Sequence, residues 1–190
     1  MFKVLLVVYL LFTAAKGRKS SPTHDIVLKT IKCSSTQNYL SPEGKCWIEN
    51  ENGRTGASYD WTVTKNVSTV NIHALFYTER LGVQHLLMDL KNIDFCECLK
   101  DSSKSGTSRI VKMFMDMAAA GGKLPEKCPI IENSKVLFNK LNIDAGSFPF
   151  LPEMGFRLVL LFTLNGDANA FSVDLTGEVV NLRKTLLMKI

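Results

Sequence analysis

The chain lacks the short motifs that mark the common enzyme classes. It has no G-x-S-x-G elbow, no phosphate-binding loop, no H-E-x-x-H helix and no dinucleotide fingerprint. It has only three histidines, His24, His73 and His85. His73 and His85 fall on the two arms of a predicted hairpin, with no third ligand placed for zinc. No metal and no cofactor are therefore expected. Lysines and arginines give a formal net charge of +5 but never gather into a block, so a nucleic-acid partner is not expected. Internal repeats and low-complexity tracts are absent. Long apolar runs are absent too, apart from Val4–Ala15 behind Lys3, which is short of the roughly 20 residues a helix needs to cross a bilayer. That run and the following Ala15-Lys16-Gly17 have the layout of a secretory signal peptide. Residues 1–17 are read as removed, which leaves a single secreted, extracellular domain over 18–190.

What remains is apolar, cysteine-bearing and periodic. Five cysteines stand at 33, 46, 96, 98 and 128. A secreted chain carries them into an oxidising compartment, where disulfides are the default state. An odd count permits at most two bridges within the chain and leaves fifteen two-bridge frameworks open. The stretch "NIDFCECLKD" (92–101) sets Cys96 and Cys98 one residue apart. On a strand, residues i and i+2 share a face, so both thiols can look toward one partner. With Cys128 they supply three thiolates, but no second paired-cysteine motif completes a tetrahedral site. A Cys–His nucleophile built on Cys98 ranks last: its position reads as an apolar strand end, where a thiol behaves as a small hydrophobe. The protein is therefore expected not to be an enzyme. Asn66-Val67-Ser68 is the one N-x-[ST] sequon and makes Asn66 the expected glycan site.

Most of the chain reads with period two. Val70, Ile72, Ala74 and Phe76 share one strand face; after the turn "ERLG", Leu86, Met88 and Leu90 share another, which makes a hairpin. Strands are also expected at 25–33, 45–50 and 135–143, with "NENGRTGASYD" (50–60) as a glycine-bearing loop. The clearest element is the run from Gly155 to Val179. Phe156, Leu158, Leu160, Phe162 and Leu164 alternate, Asn165-Gly166 turns the chain, and Phe171, Val173 and Leu175 alternate again. One segment breaks the period: Ile110, Met113, Phe114 and Met117 stand at i, i+3, i+4 and i+7, with Thr107 or Ser108 as a cap and Gly121-Gly122 as the stop. The expectation is a mainly β chain, an immunoglobulin-like sandwich or a cup, with one amphipathic helix between Cys98 and Cys128.

The apolar content exceeds what a packed core asks for. The helix clusters Met113, Met115 and Met117 beside Phe114, and methionine suits surfaces that accept varied apolar shapes. "SFPFLPEMGF" adds Phe148, Phe150 and Phe156 around two prolines. Any one of these residues belongs in a core. Together with Phe76, Met88, Leu160, Phe162 and Phe171 they fit a sandwich that opens to hold an apolar ligand.

The order "NIDFCECLKD", a helical insert, "KCPI" and then "FPFLPEMGFRLVLLFTLNGDANAFSVDLTGEV" resembles an insect family of small secreted, uncharacterised proteins. That family is similar to the CheB-type chemosensory proteins, and through them to the ganglioside-activator protein of the ML lipid-recognition superfamily. The resemblance spans roughly residues 25 to 180 and is weakest before residue 60. It implies a β-sandwich or β-cup with an internal hydrophobic cavity, no catalytic machinery, and lipids, fatty acids or cuticular hydrocarbons as ligands. By position it implies a Cys96–Cys128 bridge, a Cys33–Cys46 bridge and Cys98 as the unpaired thiol. The rival reading is a secreted interaction ligand or co-receptor with a packed core, in which "FPFLP" contacts a membrane receptor.

Overall fold

The computed structural model describes residues 24–36, 38–51, 54–100, 121–123, 125–141 and 152–181. Among them the strands are β1 (His24–Ser35), β2 (Lys45–Glu51), β3 (Arg54–Thr62), β4 (Val70–Arg80), β5 (Val83–Asp94), β6 (Gly122–Lys123), β7 (Lys135–Leu141), β8 (Met154–Leu164) and β9 (Asp167–Asn181). One short helix, α1 (Phe95–Lys100), follows β5. The strands form two antiparallel sheets, ordered β1-β9-β8-β4-β5 and β2-β3-β7-β6. The mainly β sandwich expected from the alternating pattern is the fold.

Alternation decides which side chains meet. Phe156, Leu158, Leu160 and Phe162 of β8 sit beside Gly177, Leu175, Val173 and Phe171 of β9 and, for the last three, beside Phe76, Ala74 and Ile72 of β4. These rungs form the inner face of the five-stranded sheet. Ile26, Leu28, Phe156, Leu158, Leu175 and Val179 pack on Ala57 of the opposite sheet, with Ile48, Tyr59 and Leu141 against them. A second cluster gathers Leu40, Trp61, Val63, Val67, Val70, Phe95, Ile130 and Leu164 where α1 meets the connections around it. Gly177 is required by this packing. A Cβ there would lie 2.6 Å from Phe156 Cζ and 2.7 Å from the Val27 carbonyl oxygen, closer than real Cβ atoms approach.

The first edge of the sandwich is laced shut. The Cys33–Cys46 disulfide joins β1 to β2 across the two sheets, with Cα atoms 6.2 Å apart. A bulge interrupts β1 between Leu28 and Thr30, and the Leu28 N–H donates across to Thr55 Oγ1 on β3 at 2.7 Å. Cys96–Cys128 ties α1 to the segment before β7. Cys98 is buried and lies outside both bridges.

Two expectations change. Residues 54–60 are not loop but most of β3. Ala57, Tyr59 and Trp61 alternate inward there, a pattern hidden by the small residues Gly56 and Ser58 between them. Cys96 and Cys98 do not sit on a strand; both belong to α1, where two residues turn the side chain through about 200°. The Asp94 side chain caps that helix by accepting from the Glu97 N–H at 3.0 Å, and Asn92 just before it takes a positive φ of 56°. The Gly121-Gly122 stop falls where expected, with Gly121 helical and Gly122 opening β6, where a Cβ would overlap the Leu137 carbonyl. The amphipathic helix expected before it lies outside the described residues.

Candidate functional site

The two sheets are unequal, and that inequality creates the candidate site. Moving away from the bridged β1/β2 edge, the five-stranded sheet continues through β8 and β4 to β5, whose strands run 11, 11 and 12 residues. The opposite sheet ends on that side with β7 and the two-residue β6. Among the described residues, no other strand covers the inner face of β4 and β5. Burial follows the mismatch. Ile26, Leu28, Val173, Leu175 and Val179, on β1 and β9, are all buried, whereas Ala74, Phe76, Met88, Leu90 and Leu160 are only half-buried.

These half-buried side chains are neighbours. Phe76 stands opposite Met88 and stacks on Phe156 with ring centroids 5.9 Å apart. Ala74 stands between Leu90 on one side and Leu160 on the other. The result is an apolar floor of aromatic, thioether and aliphatic groups. The nearby charges form pairs on the other strand positions. His73 Nε2 lies 2.6 Å from Asp89 Oδ1, Lys91 lies 3.3 Å from the same carboxylate, and Arg157 holds Asp174 through bonds of 2.9 and 2.6 Å. The His73 hydrogen bond, aided by Lys91, holds the Asp89 carboxyl below its ordinary pKa. The hydrogen bonds to Asp174 raise that of Arg157. An ion pair kept off the apolar floor leaves nothing there that a hydrocarbon would strip of water uncompensated.

The eleven cavity residues expected from the sequence separate into three groups. Phe76, Met88 and Leu160 lie on the floor just described. Phe156 belongs to the packed core, and Phe162 and Phe171 are half-buried against the second cluster. Phe156 is 6% exposed, and Phe171 meets Trp61 edge-on at 4.7 Å and Phe162 at 5.1 Å. Met113, Phe114, Met117, Phe148 and Phe150 lie outside the described residues. The expected approach of His73 to His85 does not occur, because His85 pairs with Thr78, five residues up the strand from His73. Among the described residues, no three His, Cys, Asp or Glu side chains are grouped to share a metal ion. Asn66 is exposed, with its Oδ1 accepting from the Glu132 N–H at 2.8 Å.

A separate cavity of about 530 Å³ opens at the bridged edge, and none of the eleven residues lines it. Its walls include Ile31, Lys32, the Cys33–Cys46 bridge, Lys45, Trp47 and Trp61. Sequence reading missed it because Trp61 stood at the end of a presumed loop. The available signal was the repeated Lys-Cys pair at 32–33 and 45–46.

A family model described as a protein of unknown function (DUF1091) matches residues 70–158, which take in β4 to β7, the start of β8 and both ends of the Cys96–Cys128 bridge. The chain is similar to the crystal structure of a Niemann-Pick type C2 protein from Japanese carpenter ant. The likeness covers 81% of this chain and 92% of that one, at 18% identity and a TM-score of 0.33. No curated protein matches the chain. The fold assignment rests on the two sheets themselves.

Proposed function

We propose that this is a secreted, non-enzymatic protein that binds a hydrophobic ligand between its sheets, against the inner face of β4, β5 and β8. The observation that carries the reading is the apolar floor that no other described strand covers: Ala74, Phe76, Met88, Leu90 and Leu160 are half-buried, whereas Ile26, Leu28, Val173, Leu175 and Val179 on β1 and β9 are buried. Each methylene moved from water to such a surface gains about 0.8 kcal/mol, so a long hydrocarbon binds there without a charged anchor. A lipid, a fatty acid or a cuticular hydrocarbon has the required chemistry. Secretion, a glycan on Asn66 and a part in chemosensation belong to the same reading. The test is native mass spectrometry of the purified protein before and after delipidation, followed by uptake of a fluorescent hydrocarbon probe. Co-purified lipid or saturable uptake is expected. A dry protein that takes up nothing overturns the proposal.

A second reading is favoured by the tip of the β4–β5 hairpin. Leu81, Val83, Leu86 and Leu87 are 97%, 53%, 52% and 62% exposed, an apolar cluster of the kind that marks a protein contact. On that reading the protein is a ligand or co-receptor for a membrane receptor. Serine at positions 81, 86 and 87 then abolishes receptor binding and leaves hydrocarbon uptake unchanged.

A further inference from the structure

The sheet opposite the floor turns one unsatisfied polar group inward. On β3, Ala57, Tyr59 and Trp61 alternate inward, and their β7 neighbours on the same face are Phe138 beside Tyr59 and Val136 beside Trp61. The polar atom of Trp61 is occupied, because its Nε1 donates to the Ser41 carbonyl at 3.2 Å. The Tyr59 hydroxyl has no hydrogen-bond partner among the described residues.

The position of Tyr59 is set from both sides. Ala57 packs in the cluster of Phe156, Leu158 and Leu175, and Trp61 meets the Phe171 ring at 4.7 Å. Tyr59 lies between them on β3, which puts it across from the rung Val173–Leu160–Ala74 that leads onto the floor. Its ring packs against both core clusters and meets Phe138 edge-on, with centroids 5.6 Å apart. Phe138 is also half-buried, yet it joins neither cluster. The space between the sheets therefore opens on the Phe138 side of Tyr59, the side toward β4 and β5.

Burial pushes the Tyr59 phenol pKa up, so the hydroxyl sits deep in the protein and keeps its proton. The side chain is nonetheless only half-buried. A group surrounded by protein that still keeps accessible surface faces internal space. A tyrosine hydroxyl in such a place normally finds a partner. Here the described fold supplies none, and the ligand does.

Resting on the reading that the floor binds a hydrophobic ligand, we propose that the Tyr59 hydroxyl is the polar anchor of that site and donates a hydrogen bond to a neutral oxygen on an otherwise apolar chain. A long-chain ester, ketone or alcohol has this chemistry. A plain alkane offers no acceptor. An ionised carboxylate is disfavoured by the same burial that keeps the phenol protonated.

The experiment displaces a bound fluorescent hydrocarbon probe from the purified protein and from Tyr59→Phe, using methyl tetradecanoate, tetradecane and tetradecanoate at neutral pH. The substitution keeps the ring and removes the donor. It is expected to weaken methyl tetradecanoate about fivefold and to leave tetradecane unchanged. Without ligand the variant is expected to be no less stable than the parent in urea at neutral pH, because the hydroxyl makes no bond within the described fold. An unchanged ester affinity, an equal loss for ester and alkane, or a variant that is clearly less stable without ligand overturns the anchor. Tighter binding of tetradecanoate than of its methyl ester by the parent overturns the neutral class. If neither protein binds the probe, the floor itself is refuted. If both bind the probe and the ester equally well, the floor stands and the anchor alone falls.

Discussion

Replacing Leu81 by Asn should make the protein more stable, and the reason lies in the comparison of its two long hairpins. Both turn through two residues of positive φ. At Asn165-Gly166 the angles are 49° and 84°, and at Leu81-Gly82 they are 54° and 77°. Such turns match the twist of the flanking strands and favour Asn-Gly, because asparagine tolerates the left-handed region. A leucine there sets its Cβ against the following carbonyl, at a cost of roughly 1–2 kcal/mol. Leu81 recovers nothing by burial, since it is 97% exposed. The substitution should therefore gain about 1 kcal/mol, or a rise in Tm of about 2–4 °C for a domain of this size. Urea unfolding gives the free energy and a thermal scan the second figure. A loss of stability would refute the reasoning, because it would mean that Leu81 makes native contacts. If the hairpin tip docks on a receptor, the same variant gains stability and loses binding, the pattern expected where a strained apolar residue is kept for contact.

Three further outcomes follow from the core and the bridges. Gly177→Ala should cost about 1–3 kcal/mol, read from the urea midpoint, because a Cβ meets Phe156 and the Val27 carbonyl, and the carbonyl cannot move aside. Burial pushes the Tyr59 phenol well above its ordinary pKa. The native state thus holds that proton more tightly than the unfolded chain. The stability this contributes is complete below pH about 10 and is lost as pH rises toward the folded value, so Tyr59→Phe should flatten the alkaline fall in unfolding free energy. Removing Cys96–Cys128, which spans 32 residues, should cost about 3.5–4 kcal/mol by chain entropy. Removing Cys33–Cys46, which spans 13, should cost about 3 kcal/mol, and paired alanine variants in urea test both the size and the order.

Strand by strand, the fold was legible wherever one face is buried and the other is wet. β8 and β9 announce themselves because Phe156 to Leu164 and Phe171 to Leu175 alternate around an Asn-Gly turn. β3 does not, because Gly56 and Ser58 are fully buried small residues on the alternate positions and read as loop chemistry. They are small because Trp47 and Glu49 of β2 stand opposite them, Trp47 across from Ser58 and Glu49 across from Gly56. The short helix α1 is hidden in the sequence because six residues are too few to show a period, and its cap, Asp94, is visible only once the Glu97 N–H is placed.

The sequence by itself determined the class of the protein: alternation with period two, turns at Leu81-Gly82 and Asn165-Gly166, and five cysteines compatible with two bridges. Those are local properties, set by side-chain direction and backbone preference within a few residues. Only the tertiary structure decided which apolar side chains are core and which are floor. Phe156 and Phe76 carry the same ring and stack on one another, yet one is buried and the other half-buried. The difference comes from what the opposite sheet places over them, a sheet whose last strand on that side has two residues.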